Sequence, residues 1–399
     1  MSEVISMSEN ADRIDVIEIT KELVKIDTRN PPGETTRAVE FLEELFSSFN
    51  TKIYEKVEGK PSLVVEVKSG EPEIMLTSHL DTVPAPDELL NPVMADGRLY
   101  GRGACDAKGC VAAMVVAAFE YLKRIEELNS ENPGLKLAFT SDEEVGGVNG
   151  LGHVFRHEQS DFVIIGEPLG MGYVGALQAC VVSADLTVKG ESGHTATKDA
   201  KEGAIYRAAE YIISKVEEFS KLKGSYSEIK EKFSRIGYDF EIRGVSQAVF
   251  NPSGISGGTK RNVVADSCRI EADIRFAPWI PREEIRRVLR DEGVEIKVNG
   301  VLEPYGVFMD EVKEDDDLKL LNAIKRVYEG RGVSAVAVFS LGVGDTRHVR
   351  KYGIPAVYLG PGGGELHGKN EYVNLDELKD FPSIYVDVMN ELTKATSEK

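Results

Sequence analysis

Basic charge is what this sequence most lacks. Its 399 residues carry 48 Lys and Arg against 67 Asp and Glu, a formal net charge of −19, and the pI is about 4.9. No basic stripe with interleaved aromatics runs along it, so phosphate backbones are repelled and nucleic acid is excluded as an expected partner. Cysteine is scarce as well. Cys105, Cys110, Cys180 and Cys268 show no CxxC spacing and are few for a disulfide framework, which points to reduced thiols in the cytoplasm. Long apolar runs are missing: the longest, Cys110–Phe119, is Ala-rich and too short to span a bilayer, so a buried helix is expected and no membrane. Met1–Ser6 shows no basic segment leading into an apolar one, so no secretion signal is read there. Repeats and low-complexity segments are absent too. A hydrophobic fraction of 42% in a chain of this length nevertheless supports a large buried core.

What is present is an alternation of strands and helices. Residues 12–49 read as helix, broken at Thr28–Gly33, where Pro31 and Pro32 force a loop. Ser62–Val67 and Ile74–Thr77 read as strands, Val111–Leu122 as helix, and Leu135–Thr140 and Phe162–Ile165 as strands separated by a loop and short helix. That pattern predicts an α/β sheet covered on both faces. Near Gln178 the character changes. Ala179–Lys189 is one long β-type run, followed by helix Glu202–Phe219, strand Arg269–Arg275, helix Pro281–Glu292 and strand Val294–Val298. This order predicts a small ferredoxin-like α+β domain whose exposed sheet edge invites pairing with a second copy. Helix Asp317–Glu329, strands Ala335–Phe339 and Ala356–Leu359, and helix Leu375–Leu392 then resume the alternation. The expected organisation is a mixed-sheet α/β/α domain built from residues 1–178 and 303–399, with residues 179–302 inserted. The acidic run Glu311–Asp317 reads as a solvated helix start.

Five short polar clusters stand out against these apolar segments: Ser78–Thr82, Gly103–Gly109, Thr140–Glu144, Gly166–Pro168 and Glu365–Gly368. Together they supply His79 and His367 and the carboxylates Asp81, Asp106, Glu143, Glu144 and Glu167. Nitrogen and oxygen donors without thiolate suit a hydrolytic zinc site. Four clusters directly follow a predicted strand, and ligands of open α/β sheets bind beyond the carboxyl ends of strands. The fifth, at Asp106, precedes a helix and would reach the same rim from a loop. Singly, each has a plain structural reading: His79 as a hydrogen-bonded histidine, Asp81 as a turn start, Asp106 as a helix cap, Asp142–Glu144 as an acidic helix start, Glu167-Pro168 as a loop. Their joint occurrence, in order, argues for a site.

With these clusters, the chain resembles the dinuclear zinc amidohydrolases and metallopeptidases that include acetylornithine deacetylase, succinyl-diaminopimelate desuccinylase, aminoacylase and the glutamate carboxypeptidases. The resemblance covers essentially the whole chain. It implies a zinc-exopeptidase-like catalytic domain with an inserted dimerisation domain, a homodimer, and two zinc ions per chain, for which cobalt can substitute. It further implies that His79 and Glu167 bind one zinc, Glu144 and His367 the other, and Asp106 both. Glu143 would be the general base. Asp81 would be the carboxylate that orients His79, an arrangement that fixes the imidazole tautomer. The implied reaction is hydrolysis of the amide of an N-acyl amino acid, as in amino-acid biosynthesis, with a dipeptidase or carboxypeptidase on the same centre as the alternative. A non-catalytic scaffold would most easily have lost a ligand or the base, and none is missing.

The resemblance also touches the inserted segment. His194, in Gly190–Ala196, matches a histidine that reaches the oxyanion, often across a dimer. Asn262, in Gly258–Val264, and Arg275, in Asp273-Ile274-Arg275, match positions that hold a substrate carboxylate, for which arginine's planar fork is suited. Their structural readings are a surface loop histidine, a turn amide and a surface ion pair. Ala265 departs from the proline often found after Asn-Val-Val. Gly342–His348 corresponds only loosely to a glycine-rich substrate loop, and Arg347 is open to binding an acidic group or to local structure. Lys221–Gln247 exceeds what a compact inserted domain needs and is expected to shape the cleft or the dimer contact. Two motifs are declined: His153–His157 lacks the glutamate of a zincin helix and reads as surface helix, and Gly360–Gly364 lacks the Lys-Ser/Thr of a phosphate loop.

Overall fold

The strands before residue 178 are apolar on both alternating faces, the pattern of strands buried from two sides. In the computed structural model, which describes residues 14–128 and 133–397, that pattern divides between two cores. Leu63, Val65, Ile74, Leu76, Leu135 and Leu137 face the larger one. Val64, Met75, Ala138, Val163 and Ile165 face a smaller one with Leu151, Val154, Phe155 and Val349. Each such leucine or valine, fully withdrawn from water, contributes about 1.5–3 kcal/mol against the entropy of ordering the chain. Helices Val16–Lys25, Lys108–Leu128, Glu314–Gly330 and Leu375–Ser397 pack over the first face. The short helices Leu151–Val154 and Thr346–Arg350 lie on the second. The reading of Met1–Ser6 lies outside the described residues.

The resulting sheet has nine strands, in the order Asn50–Glu55, Pro61–Lys68, Gly134–Thr140, Glu73–His79, Phe162–Ile165, Ala356–Tyr358, Tyr173–Gln178, Val336–Ser340 and Asp239–Arg243. The four from Gly134–Thr140 to Ala356–Tyr358 run mutually parallel, which brings their carboxyl ends to one rim. His79 is the last residue of its strand, Glu143 and Glu144 follow Gly134–Thr140, and Glu167 follows Phe162–Ile165. Beyond Ala356–Tyr358 the chain continues into the loop that carries His367.

A second sheet holds Val249–Gly257, Ser267–Phe276, Cys180–Lys189 and Val294–Leu302 in that order, all antiparallel. Helices Ala204–Ser220 and Arg282–Leu289 are connected as β-α-β-β-α-β with these strands, the ferredoxin-like order. In Ser267–Phe276 every second residue from Cys268 to Phe276 is buried, so one face carries the helices. Val294–Leu302 is an edge strand, and Val298 and Val301 on it are exposed. The long segment Lys221–Gln247 also contributes to the main sheet. Its helix Ser227–Arg235 leads into strand Asp239–Arg243, which pairs parallel with Val336–Ser340 and so widens the main sheet. Among the described residues, no helix is long and apolar enough to cross a membrane.

Lys108 opens the helix that follows the Asp106 cluster and is fully buried. Its Nζ donates to the carbonyl of Ile26, at the end of helix Val16–Lys25, over 2.8 Å. Burial pushes its ammonium down to about 7, although Asp27, Glu371 and Asp81 oppose the shift. The folded state therefore binds this proton less tightly than the unfolded chain does. The cost of burying the charge is fully present below pH 7 and is relieved as pH rises toward the ordinary lysine range. Urea midpoints of the protein and of Lys108→Met, compared between pH 7 and 9.5, should diverge in favour of the lysine as pH rises. A difference independent of pH would show that Lys108 is charged in the fold.

Candidate metal centre

His79 sits at the end of its strand with Nδ1 2.9 Å from the carbonyl of Asp81. A proton held there leaves Nε2 as the free lone pair, 3.0 Å from Asp106 Oδ1 and 3.9 Å from Glu167 Oε1. The other oxygen of Asp106 faces the second histidine. Asp106 Oδ2 lies 3.3 Å from His367 Nε2, which lies 3.5 Å from Glu144 Oε2. Asp106 thus separates two half-sites, His79 with Glu167 and His367 with Glu144. Donor atoms of His79, Asp106 and Glu144 all fall within 4.8 Å of one another. Glu144 Oε1 is buried without a hydrogen-bond partner, an acceptor that the protein itself does not satisfy.

The electrostatics are those of crowded acidic groups that favour a cation. Burial, with Asp106 beside it, pushes the Glu144 carboxyl up to about 8. Burial likewise raises Glu143, and raises Glu167 well above the carboxylate range. Asp106 goes the other way: burial would lift it, but His367 and His79 hold it well below its ordinary value. Burial would depress His79, yet Asp106, Glu143 and Glu167 keep its imidazole well above its usual range. Four carboxylates around two imidazoles therefore take up protons, which divalent ions would displace while balancing the negative charge.

Two buried devices set this geometry. The carboxylate of Asp81 is 3.7 Å from His79 Nδ1, so the orienting contact comes from its carbonyl and not from its carboxylate as expected. The carboxylate instead accepts the backbone N–H of Glu143 at 3.0 Å and of Glu144 at 3.2 Å, and the Asn30 amide at 2.7 Å. It therefore aims the turn that carries both glutamates. Asp142, just before them, is left-handed at φ 72° and is held there by Asn149 and Lys60. A Cβ on Gly33 would come within 2.1 Å of Asn30 Oδ1, so glycine is needed for Asn30 to reach Asp81.

The second device is the buried ion pair of Arg102 with Glu371. Glu371 Oε1 accepts the backbone N–H groups of Cys105 and Asp106, each at 3.1 Å. Arg102 donates to the carbonyls of His367 and Gly368, also at 3.1 Å. One pair thereby links the loop of Asp106 to the loop of His367. Sequence reasoning passed over both residues. Their signal was an unpaired Arg in Gly-Arg-Gly and a Glu four residues after His367, and neither shows a partner until the chain is folded.

The remaining expected residues lie outside this centre. Arg347 is buried, with its guanidinium donating to the carbonyls of Gly344 at 2.8 Å and Gly146 at 2.6 Å. It braces the turn after Glu144. Arg275 bonds Asp273 at 2.8 Å and the Leu341 carbonyl at 3.3 Å, beside the loop that borders the site. His194 is exposed on a two-residue strand paired with Val263–Val264, and the Asn262 carbonyl accepts Thr195 N–H there. His194 and Asn262 thus lie on paired neighbouring segments. His153 and His157 pack against Tyr54, and only Leu151–Val154 of that segment is helical.

A sheet rim bearing two histidines and clustered half-buried carboxylates, on this mixed α/β fold, defines a metal-dependent hydrolase. The sequence model described as Peptidase family M20/M25/M40 matches residues 75–391, and the chain belongs to that family. It is similar to the succinyl-diaminopimelate desuccinylase of Stenotrophomonas maltophilia (strain K279a), 28% identical over 79% of this chain and 83% of the relative. It is also similar to the [LysW]-lysine/[LysW]-ornithine hydrolase of Sulfurisphaera tokodaii, 26% identical over 97% of this chain and 99% of the relative. The fold matches the crystal structure of a tripeptidase from Staphylococcus aureus, with TM-score 0.70, 22% identity, and 95% of this chain and 98% of that one covered.

Glu371→Gln keeps an acceptor for the two backbone N–H groups but strands the Arg102 charge. It should destabilise the fold by about 3–5 kcal/mol and weaken zinc binding about 10–100-fold. Thermal melts and zinc calorimetry on the same preparations check both effects. Unchanged zinc affinity would separate the pair from the metal centre.

Proposed function

We propose that this chain is a two-metal amide hydrolase acting on an N-acyl amino acid, and that zinc occupies both half-sites, with cobalt able to replace it. The observation that carries the reading is Asp106, whose two oxygens face different histidines at 3.0 and 3.3 Å. A nitrogen and oxygen donor set with no thiolate fits zinc, and the unpartnered Glu144 Oε1 fits a ligand awaiting its ion. His79, Glu167 and Asp106 would hold one ion, and His367, Glu144 and Asp106 the other. Bound there, divalent ions supply Lewis acidity that makes a water easier to deprotonate and polarises the carbonyl under attack.

The rest follows from the chain's own residues. Glu143 and Glu144 are adjacent, and Asp81 fixes both of their backbone N–H groups. Glu144 turns to His367, while Glu143 lines the neighbouring cavity. A carboxylate whose proton affinity is raised by burial suits both halves of the task. Glu143 takes the proton of the attacking water as oxygen bonds to the amide carbon, then delivers it to the nitrogen as the C–N bond breaks. The curated relative named as a succinyl-diaminopimelate desuccinylase supports deacylation, and the one named as a [LysW]-lysine/[LysW]-ornithine hydrolase supports hydrolysis at an amino-acid group. The tripeptidase likeness keeps peptide cleavage as a second reading.

Division into a catalytic body and an inserted unit near 179–302, pairing of that unit into a homodimer, and a cytoplasmic setting belong to the same proposal. The exposed edge Val294–Leu302 supports the dimer, and a second copy would give His194 and Asn262 a site to serve. Four free, buried cysteines support a reducing compartment.

Glu143→Ala should keep its zinc and lose about 10²–10⁴-fold in turnover. Metal analysis and kinetics on one sample test this, and near-wild-type turnover would remove Glu143 as the base. A panel of N-acyl amino acids and dipeptides with added zinc or cobalt separates the two substrate readings. Cleavage of dipeptides alone would exclude the deacylase.

A further inference from the structure

Beside the metal centre lies a cavity of about 190 Å³, walled by Leu169, Leu177, Val338, Val343 and Tyr358 and by the end of strand Tyr173–Gln178. This is room for one short group flanking the scissile amide. Among the described residues its only charged lining is Asp106, Glu143 and Glu167, all assigned above to metal or to proton transfer. No lysine, arginine or histidine borders it.

One side-chain amide there is only half satisfied. Gln178 is 1% exposed, and its Oε1 accepts the Gly344 N–H at 3.1 Å, which fixes the plane and sense of the amide. Its Nε2 is buried without a hydrogen-bond partner. The hydroxyl oxygens of the wall serve as acceptors within the protein. Tyr358 Oη accepts the Thr346 N–H at 3.0 Å and the Thr346 hydroxyl at 3.1 Å, and Ser340 Oγ accepts the Gly342 N–H at 3.2 Å. The wall is also tight at Gly344, where a Cβ would come within 2.6 Å of Tyr358 Oη and 3.2 Å of Glu143 Oε1. Gln178 is thus locked close to the proposed base with one donor unspent.

We infer that this cavity selects an uncharged substrate group bearing a hydrogen-bond acceptor, and that Gln178 Nε2 is the donor that reads it. The inference rests on the hydrolase reading and deepens it. An ammonium would meet a donor where it needs an acceptor. A carboxylate would enter an apolar pocket with no cationic side chain and with Glu143 nearby. A purely alkyl group would leave the amide unpaired, which a site built around a buried donor discriminates against. A carboxamide, ester or hydroxyl group satisfies it.

The test uses isosteric triplets on the zinc-loaded protein: succinamoyl, succinyl and 4-methylpentanoyl amides of one amino acid, and dipeptides beginning with Gln, Glu or homoleucine. In the series the enzyme accepts, kcat/KM should favour the carboxamide over the carboxylate about 100-fold and over the alkyl group about 10-fold. Gln178→Leu should reverse the carboxamide-over-alkyl order, and Gln178→Arg should shift preference to the carboxylate. A wild-type preference for the carboxylate, or an unchanged ranking in Gln178→Leu, would overturn the inference. If no member of either series is hydrolysed, the hydrolase reading fails. The cavity is then judged by calorimetry with glutamine, glutamate and homoleucine on the metal-free protein, where glutamine must bind tightest and lose that lead in Gln178→Leu.

Discussion

The buried pair of Arg102 and Glu371 is the constraint on which the metal centre depends. Removing two charges from water is costly, and an apolar pair of the same volume often does as well or better for stability. What hydrophobic residues cannot do is bond four backbone groups at once. Glu371 takes the N–H groups of Cys105 and Asp106, and Arg102 reaches the carbonyls of His367 and Gly368. The loop before helix Lys108–Leu128 and the loop more than 250 residues later are thereby set in register through one ion pair. Burial raises the Glu371 carboxyl even with Arg102 beside it, which shows how far this site is withdrawn from solvent.

Around that link, the two half-sites are built differently. His79 and Glu167 come directly off parallel strands, whose register fixes their spacing. Glu144 and His367 come from turns: Asp142 before the first is left-handed, and so are Glu365 and His367 itself, at φ 54° and 62°. Such backbone is held only where surrounding bonds over-determine it, and here Asp81, Asn149 and Arg102 supply them. Asp106 stands between the rigid half and the braced half.

Much of this was legible in the sequence because it is local. Apolar runs at Glu73–His79, Gly134–Thr140 and Phe162–Ile165, each ended by polar residues, give the strands and the rim together. In the second unit five of the six elements were equally plain, and strand Val249–Gly257, interrupted by Pro252 and Gly254, was not. What escaped was decided at a distance. Asp239–Arg243 is a polar stretch that becomes a strand only because Val336–Ser340 offers it an edge. Lys221–Gln247 therefore joins the main sheet. The resemblance implied the Asp81 carboxylate at His79, but that carboxylate accepts the backbone N–H groups of Glu143 and Glu144, brought to it by the fold. Arg347 was open to an acidic ligand or to local structure, and its bonds to the carbonyls of Gly344 and Gly146 serve local structure. Gln178, at the end of its strand, carries no motif, and its unpartnered amide exists only in the packed structure.

The central claim is that Asp106 lies between two metal ions. Anomalous scattering at the zinc edge from crystals grown with zinc measures it directly. Two peaks should flank the Asp106 carboxylate, one next to His79 and Glu167 and the other next to His367 and Glu144. A single peak there, or zinc bound elsewhere with the Asp106 carboxylate bare, would contradict the account.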